Sequence, residues 1–298
     1  MKRQLAVLVN PTSGKGRGAR LLEPVADRLR KSGATLDVVV GRDADEAFDR
    51  LRDRVAGKVD GVVAVGGDGL VNLALQVVGG TGIPLGIVPA GTGNDIARSL
   101  GLSLADPLGA ADLVAWGHTR AVDLGRANGR WFAGVLGAGF DSTVNERANR
   151  MTWPRGRARY NLAILAELRT FRPVPFVLDF EGETWHTDAM LVAVGNGSSY
   201  GGGMRVCPDA CVDDGLLDVT VLGPISKPEF IRVFPTVYKG THVDHPAVRV
   251  RRTRTVTLSA AGVTAYADGE RVSVLPLTCD SVPGALTVYA PGPAVPAP

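Results

Sequence analysis

The chain has little of several things, and each scarcity narrows what it can be. Among 298 residues there are only three cysteines, Cys207, Cys211 and Cys279. The count is odd and no C-x-x-C pair occurs, which argues against a disulfide framework and against a zinc ribbon. A reducing, cytoplasmic setting is the expectation. No apolar run approaches the ~20 residues of a spanning helix. The apolar stretch behind Met1-Lys2-Arg3 is too short for a signal peptide. Aromatic residues are 6% of the chain and do not interleave with basic ones in the way that stacks nucleobases, so nucleic acid is not an expected partner. Net charge is only +3, compatible with an anionic substrate or a membrane surface without demanding either. Two things are plentiful. Apolar residues reach 45%, enough for a large core, and the 38 glycines gather in turns, not in a repeat.

The densest glycine turn follows a short apolar run. Val62 to Val65 ends in Gly66-Gly67-Asp68-Gly69, and apolar residues at helical spacing follow: Leu70, Val71, Leu73, Ala74, Leu75, Val77 and Val78. The pattern predicts a buried strand, a glycine turn holding Asp68, and a helix. Glycines let backbone N–H groups approach a ligand, and the positive end of the helix favours an anion there. A lone carboxylate in such a corner makes chemical sense with a divalent cation, which removes its repulsion for phosphates.

Comparable units flank it. Leu5 to Val9 reads as a strand that breaks at Asn10-Pro11-Thr12-Ser13-Gly14-Lys15-Gly16-Arg17-Gly18, with a helix behind. Leu36 to Val40 reads as a strand and Ala44 to Val55 as a helix. Pro84 to Val88 reads as a strand ending in Pro89-Ala90-Gly91-Thr92-Gly93-Asn94-Asp95, before helices at Ile96 to Leu100 and Asp106 to Trp116. Strands alternating with helices predict a doubly wound, mostly parallel, Rossmann-like α/β sheet over residues 1–122. Ligands of such sheets sit beyond the carboxyl ends of the strands, so the three polar glycine loops are expected to converge.

The pattern changes over residues 123–290. Short runs with tight turns replace the βα units. They include a hairpin at Asn128-Gly129, helices near Ser142–Arg150 and Ala158–Phe171, and strands at Phe176–Phe180, Thr184–Gly195, Gly215–Leu222, Val248–Ser259, Val263–Ala267, Arg271–Leu275 and Ala285–Tyr289. This predicts a second, largely antiparallel β domain, with the last strand able to cross back to the first. The Pro-rich end, within 291–298, is expected to be disordered.

Each loop also has an ordinary structural reading. NPTSGKGRG lacks Walker A spacing, and Asp95 serves equally well as a helix cap. Asp209, Asp213, Asp214 and Asp218 offer hard oxygen ligands for a divalent cation, or simply an acidic turn. Asp268-Gly269 reads as a hairpin turn. If that run is extended instead, Asp268 and Glu270 share one face, and close carboxylates raise one another's pKa until one can accept a proton near neutrality. His242 to His245 reads as a surface turn before Pro246 rather than a metal pair. Arg147, Arg150, Arg155, Arg157 and Arg159 around Trp153 read either as a solvated basic face or as a contact for anionic lipid. Arg249, Arg251, Arg252 and Arg254 read as a polar strand edge.

Taken in order, NPTSGKG, VGGDG, VPAGTGND, DDGLLDV and DGE cover nearly the whole length, and their sequence resembles the diacylglycerol kinase catalytic family, which includes bacterial soluble lipid kinases and is related to sphingosine and ceramide kinases. The resemblance implies a nucleotide-binding α/β domain, a β-sandwich domain, and transfer of the ATP γ-phosphoryl to a lipid hydroxyl at the inner membrane face by a peripheral, cytoplasmic protein. It implies ATP contacts at Asn10, Pro11, Thr12, Ser13, Gly14, Gly66, Gly67, Asp68, Gly69, Asn72 and Thr92. Glu270 matches the general base and Asp68 the acid that meets phosphates through Mg²⁺. Asp95 and Asp268 would arrange the site. Asp214, with the carbonyls of Leu217 and Val219, matches a magnesium site. Lys15 and Arg17 are further candidates for phosphate charge. Two departures stand out: Leu70 takes a Thr position, and Val40-Gly41-Arg42-Asp43 replaces a Thr-rich segment, weakening Gly41 as an adenosine contact. Alternatives are a sphingosine-type or other lipid kinase, an NAD kinase, which also uses a GGDG corner, and a catalytically silent nucleotide- or lipid-binding protein. A homodimer is left open, since no oligomer signal is present.

Overall fold

A computed structural model describes residues 2–153, 162–164, 166–167 and 172–291. The helix expected at Ala158–Phe171 lies largely outside the described residues, as do the Pro-rich end and Arg155, Arg157 and Arg159. The chain divides into two compact units, Met1–Leu124 with Pro283–Pro298, and Gly125–Val282.

The first unit is α/β. Its strands are β1 (Gln4–Val9), β2 (Thr35–Val39), β3 (Gly61–Gly66) and β4 (Leu85–Pro89), in parallel order β2-β1-β3-β4. The end of the chain's last strand, β16 (Leu277–Tyr289), adds to β4 in parallel through Val288 and Leu85. The β3 and β4 runs are buried at every position because helices cover both faces. Leu5, Val7, Val9, Val63 and Val65 point to one face and pack with Val25 and Leu29 of α1 (Ser13–Lys31) and Val114 of α5 (Pro107–Trp116). The alternate residues face α2 (Ala44–Ala56) and α3 (Asp68–Val78), which pack on each other and touch β1 and β3. α4 (Asp95–Ser99) follows β4.

The second unit is antiparallel. One sheet runs β12 (Val248–Thr253), β11 (Leu217–Leu222), β10 (Leu191–Gly195), β7 (Val135–Gly139), β14 (Thr264–Ala267), β15 (Glu270–Val274). The other joins the start of β16 to β13 (Thr255–Ser259), β8 (Val174–Phe180) and β9 (Glu183–Ala189). Between them lies the sandwich core, with Phe132, Phe176, Leu178, Val194, Leu217, Val219, Val256 and Leu258 all fully buried. β5 (Thr119–Ala127) and β6 (Arg130–Phe132) form the expected hairpin, with left-handed Asn128 and Gly129 at its turn.

Two long runs expected to be single strands are each divided. Thr184–Gly195 breaks at Met190, and Val248–Ser259 breaks at Arg254. In both cases the two pieces lie in different sheets. α6 (Phe140–Arg150) and α7 (Lys227–Val233) complete the unit, α7 opening on a capping box between Ser226 and Glu229.

Candidate active site

In the first unit, the loops after β1, β3 and β4 come together at the carboxyl ends of their strands. A Cβ on Gly14 would lie 2.0 Å from the carbonyl oxygen of Ala90. A Cβ on Gly91 would lie 2.5 Å from the Gly67 Cα. Only glycine permits that approach of three backbones. Gly14, Lys15 and Gly16 are all left-handed, so the turn predicted before the helix is wound into the start of α1. Asn10 Oδ1 accepts from the amide and hydroxyl of Thr12, at 3.0 and 2.8 Å, which shapes the loop. Among the described residues the buried Ser13 hydroxyl has no partner. Cramped glycines and an orphan hydroxyl make a cradle suited to a phosphate-bearing ligand.

Asp68 was expected inside the turn. It is instead the first residue of α3, with Gly67 as the cap. Its Oδ1 accepts from the Ile96 amide at 3.1 Å, tying the third loop to the second. Burial, then the charge of Asp95, push the Asp68 carboxyl above its ordinary range, against the backbone N–H groups of Ile96, Asn94 and Asp95. Asp95 is buried and paired with Arg98, while left-handed Asn94 takes the cap position and closes the loop on the Gly91 amide at 2.9 Å. Asn72 is buried on α3, Thr92 is exposed, and Gly69 has open space around its α-carbon. Gly41 has a packing reason to be glycine: a Cβ there would sit 2.4 Å from the Ala47 amide.

In the second unit, Asp268 (φ 50°) and Gly269 (φ 88°) form the turn between β14 and β15. The extended alternative, with Asp268 and Glu270 on one face, is therefore replaced by the hairpin. The Asp268 carboxylate reaches back to another segment, accepting from the amides of Ala133 (2.9 Å), Gly134 (2.9 Å) and Val135 (3.2 Å). Glu270 is the exposed first residue of β15.

The Asp214 turn is already supplied with a cation. Arg252 donates from Nε to Asp218 at 2.9 Å and from Nη2 to the Asp209 carbonyl at 2.6 Å, and its Nη1 lies 3.7 Å from Asp214. Asp214 Oδ1 accepts the Leu216 amide at 3.0 Å. Leu217 and Val219 are fully buried β11 residues, and Val219 is paired on both flanks. Among the described residues no group of three or more His, Cys, Asp or Glu side chains could hold a metal. Beside Asp214, Leu217 and Val219 the Arg252 guanidinium already supplies positive charge, so a divalent cation held there would have to share the turn with it. Asp68, whose carboxylate is a hard oxygen ligand beside a phosphate cradle, fits a divalent cation.

The remaining basic residues follow their strand. Arg249 stacks 3.7 Å over Trp185, and Arg251 pairs with Glu183 at 2.5 Å, along the edge strand β12. His242, expected on a surface turn, is 8% exposed.

The comparisons agree with this arrangement. The family profile for the diacylglycerol kinase catalytic domain matches residues 4–127, and that for the YegS C-terminal NAD kinase beta sandwich-like domain matches residues 134–290. A protein named diacylglycerol kinase from Mycobacterium tuberculosis is 46% identical over 294 residues, covering 97% of this chain and 95% of that protein. The chain belongs to the diacylglycerol kinase family. Within the family, a Bacillus subtilis protein of the same name is 29% identical, over 91% of this chain and 90% of its own length. Two solved structures share the fold alone. A diacylglycerol kinase from Bacillus anthracis has a TM-score of 0.75 at 21% identity, covering 97% of both chains. An NAD kinase from Archaeoglobus fulgidus in complex with ATP has a TM-score of 0.54 at 12% identity, covering 96% of this chain and 93% of that one.

Proposed function

We propose that this protein transfers the γ-phosphoryl group of ATP to a lipid hydroxyl, with diacylglycerol as acceptor and phosphatidic acid as product. The observation that carries this reading is the convergence of three glycine loops on Asp68 in a chain whose family relatives are named diacylglycerol kinase. Phosphoryl transfer asks a protein for positioning and charge neutralisation more than for covalent chemistry. Backbone amides of the Asn10–Gly14 and Gly66–Gly69 loops, with Asn72 and Thr92, cradle the nucleotide. Asp68 would hold Mg²⁺, which supplies neutralisation of the phosphate charge. Lys15 and Arg17 add positive charge at the first loop. Glu270 takes the proton as the lipid oxygen bonds to the γ-phosphorus and the bridging oxygen departs with ADP. Asp95 acts through its pairing with Arg98, and Asp268 fixes the hairpin from which Glu270 projects. Among the described residues no helix is long and apolar enough to cross a membrane, which suits a protein that visits the cytoplasmic membrane face from one side.

Incubation with labelled ATP, Mg²⁺ and a total lipid extract tests the reading. Labelled phosphatidic acid is the expected product. Label in NADP⁺ when NAD⁺ is supplied, with none in any lipid, would replace this reading with the NAD kinase alternative.

A further inference from the structure

Glu270 opens β15, and β15 is the outermost strand of its sheet, paired among the described residues with β14 alone. Whatever fixes β14 therefore fixes the strand that carries Glu270. The Asp268 carboxylate fastens the β14–β15 turn to the amides of Ala133, Gly134 and Val135. A second fastening lies on the other face of the sheet. Ala265 and Ala267 point into the sandwich core, so Tyr266 between them points outward, where α6 packs on β14. Ser142 and Glu146 stand one turn apart on α6 and share a face. The Ser142 hydroxyl donates to the Thr264 carbonyl at 2.5 Å, and the Tyr266 hydroxyl donates to Glu146 Oε1 at 3.1 Å.

One atom separates Tyr266 from a packing residue. The side chain is buried, and a phenylalanine would fill the same space. A buried phenol needs an acceptor, and Glu146 supplies it from another element. Burial, then the Glu146 bond and charge, push the Tyr266 pKa up, so the hydroxyl keeps its proton and stays a donor. Arg150 lies 3.8 Å from the other Glu146 oxygen, so the carboxylate is approached from both sides. The strand register shifts at the same place. Ala265 pairs with Ser273 and Tyr266 with Arg271, which leaves Val272 as an extra residue on β15. A bulge bends its strand and re-aims the side chains beside it. Glu270 precedes Arg271, so the bulged end of β15 that carries it takes its direction from Tyr266 across the ladder.

We propose that Tyr266 is a positioning residue for the transfer: its bond to Glu146 holds the β14–β15 hairpin against α6 and so sets the direction of Glu270. The proposal rests on the kinase reading, in which Glu270 takes the proton. Tyr266 acts through Glu270 and not on the substrate.

Steady-state kinetics of the full-length protein with ATP, Mg²⁺ and diacylglycerol test it. Tyr266→Phe, which removes only the hydroxyl, is expected to lower kcat about tenfold with both KM values unchanged, short of the ~10²-fold that a misplacement of about 1 Å costs. In a Glu270→Gln background the same change should lower kcat by less than about twofold, because residues that act as a unit are not additive. Glu146→Leu should match Tyr266→Phe, while Glu146→Gln, whose amide oxygen still accepts, should keep kcat near the wild-type value. The two Glu146 variants decide the matter if Tyr266→Phe fails to fold. A role confined to stability would lower the urea midpoint and leave kcat alone, or subtract equally from both backgrounds. Wild-type kcat in Tyr266→Phe, an equal loss in the Glu270→Gln background, or equal losses in Glu146→Gln and Glu146→Leu overturns the proposal. The kinase reading fails differently: a wild type that phosphorylates no lipid removes that reading and this assignment with it, whereas active wild type beside any of those three outcomes removes the assignment alone.

Discussion

In the α/β unit, Asp68-Gly69 opens a helix; in the β-sandwich unit, Asp268-Gly269 turns a hairpin. The dipeptide is the same and the backbones differ. Helical spacing of apolar residues follows the first, and a short strand follows the second. Yet both carboxylates do one similar thing, accepting backbone N–H groups from a distant segment: Ile96 for Asp68, and Ala133, Gly134 and Val135 for Asp268. Asp68 does so while its acidity is suppressed by burial and by Asp95, at the mouth of a glycine cradle. Asp268 is committed to three amides. The contrast is one of setting: Asp68 stands beside the glycine loops of a parallel sheet, and Asp268 in the turn of an antiparallel hairpin.

The sharpest way to break that contrast is through Glu270, the neighbour of the structural acid. Glu270→Gln is expected to lower turnover by about 10²–10⁴-fold with nucleotide affinity intact, measured by steady-state kinetics and by ATP binding. Wild-type turnover would remove Glu270 from the mechanism. Asp68→Asn should lower turnover by about 10²-fold, the scale of losing one preorganised electrostatic contact. Its stability should move the other way. A carboxyl whose folded pKa is raised binds protons more tightly in the native state, so wild-type stability falls as pH rises above the unfolded value of 3.8. The urea midpoint of Asp68→Asn should therefore match or exceed that of the wild type at pH 7, with the advantage shrinking towards pH 4. A lower midpoint at pH 7 would make Asp68 a structural acid like Asp268.

Asp268→Ala is expected to cost about 2–4 kcal/mol, because charge-assisted bonds to three amides are lost together; urea denaturation reads it. Finally, Arg252→Met should cost about 1–2 kcal/mol. That is less than a fully buried pair would lose, since the Arg252 side chain is 46% exposed while Asp218 is 3% exposed. The wild-type melting temperature without nucleotide should not change with chelator. A drop in chelator that Asp214→Ala abolishes would restore a metal to that turn.

Much of the α/β unit was legible because its signals are local. Apolar runs broken by glycine, each followed by helical spacing, admit few arrangements, and the parallel topology then puts all the loops at one edge. Gly14, Gly67 and Gly91 could be placed together on that ground alone. The β-sandwich was legible as a class but not in its joints. Nothing in the alternation of Thr184–Gly195 or Val248–Ser259 marks the break at Met190 or Arg254, because period-2 patterning is the same in either sheet.

The residues by themselves determined two units of different class, the order of the polar glycine loops and the turn dipeptides, since each depends on neighbours within a few positions. Tertiary structure alone decided which amides Asp68 and Asp268 would serve, that Arg252 would balance Asp218, and that the Tyr266 hydroxyl would meet Glu146. Those outcomes depend on pairs separated by tens to more than a hundred residues, and a single sequence carries no record of which distant groups folding brings within hydrogen-bond reach.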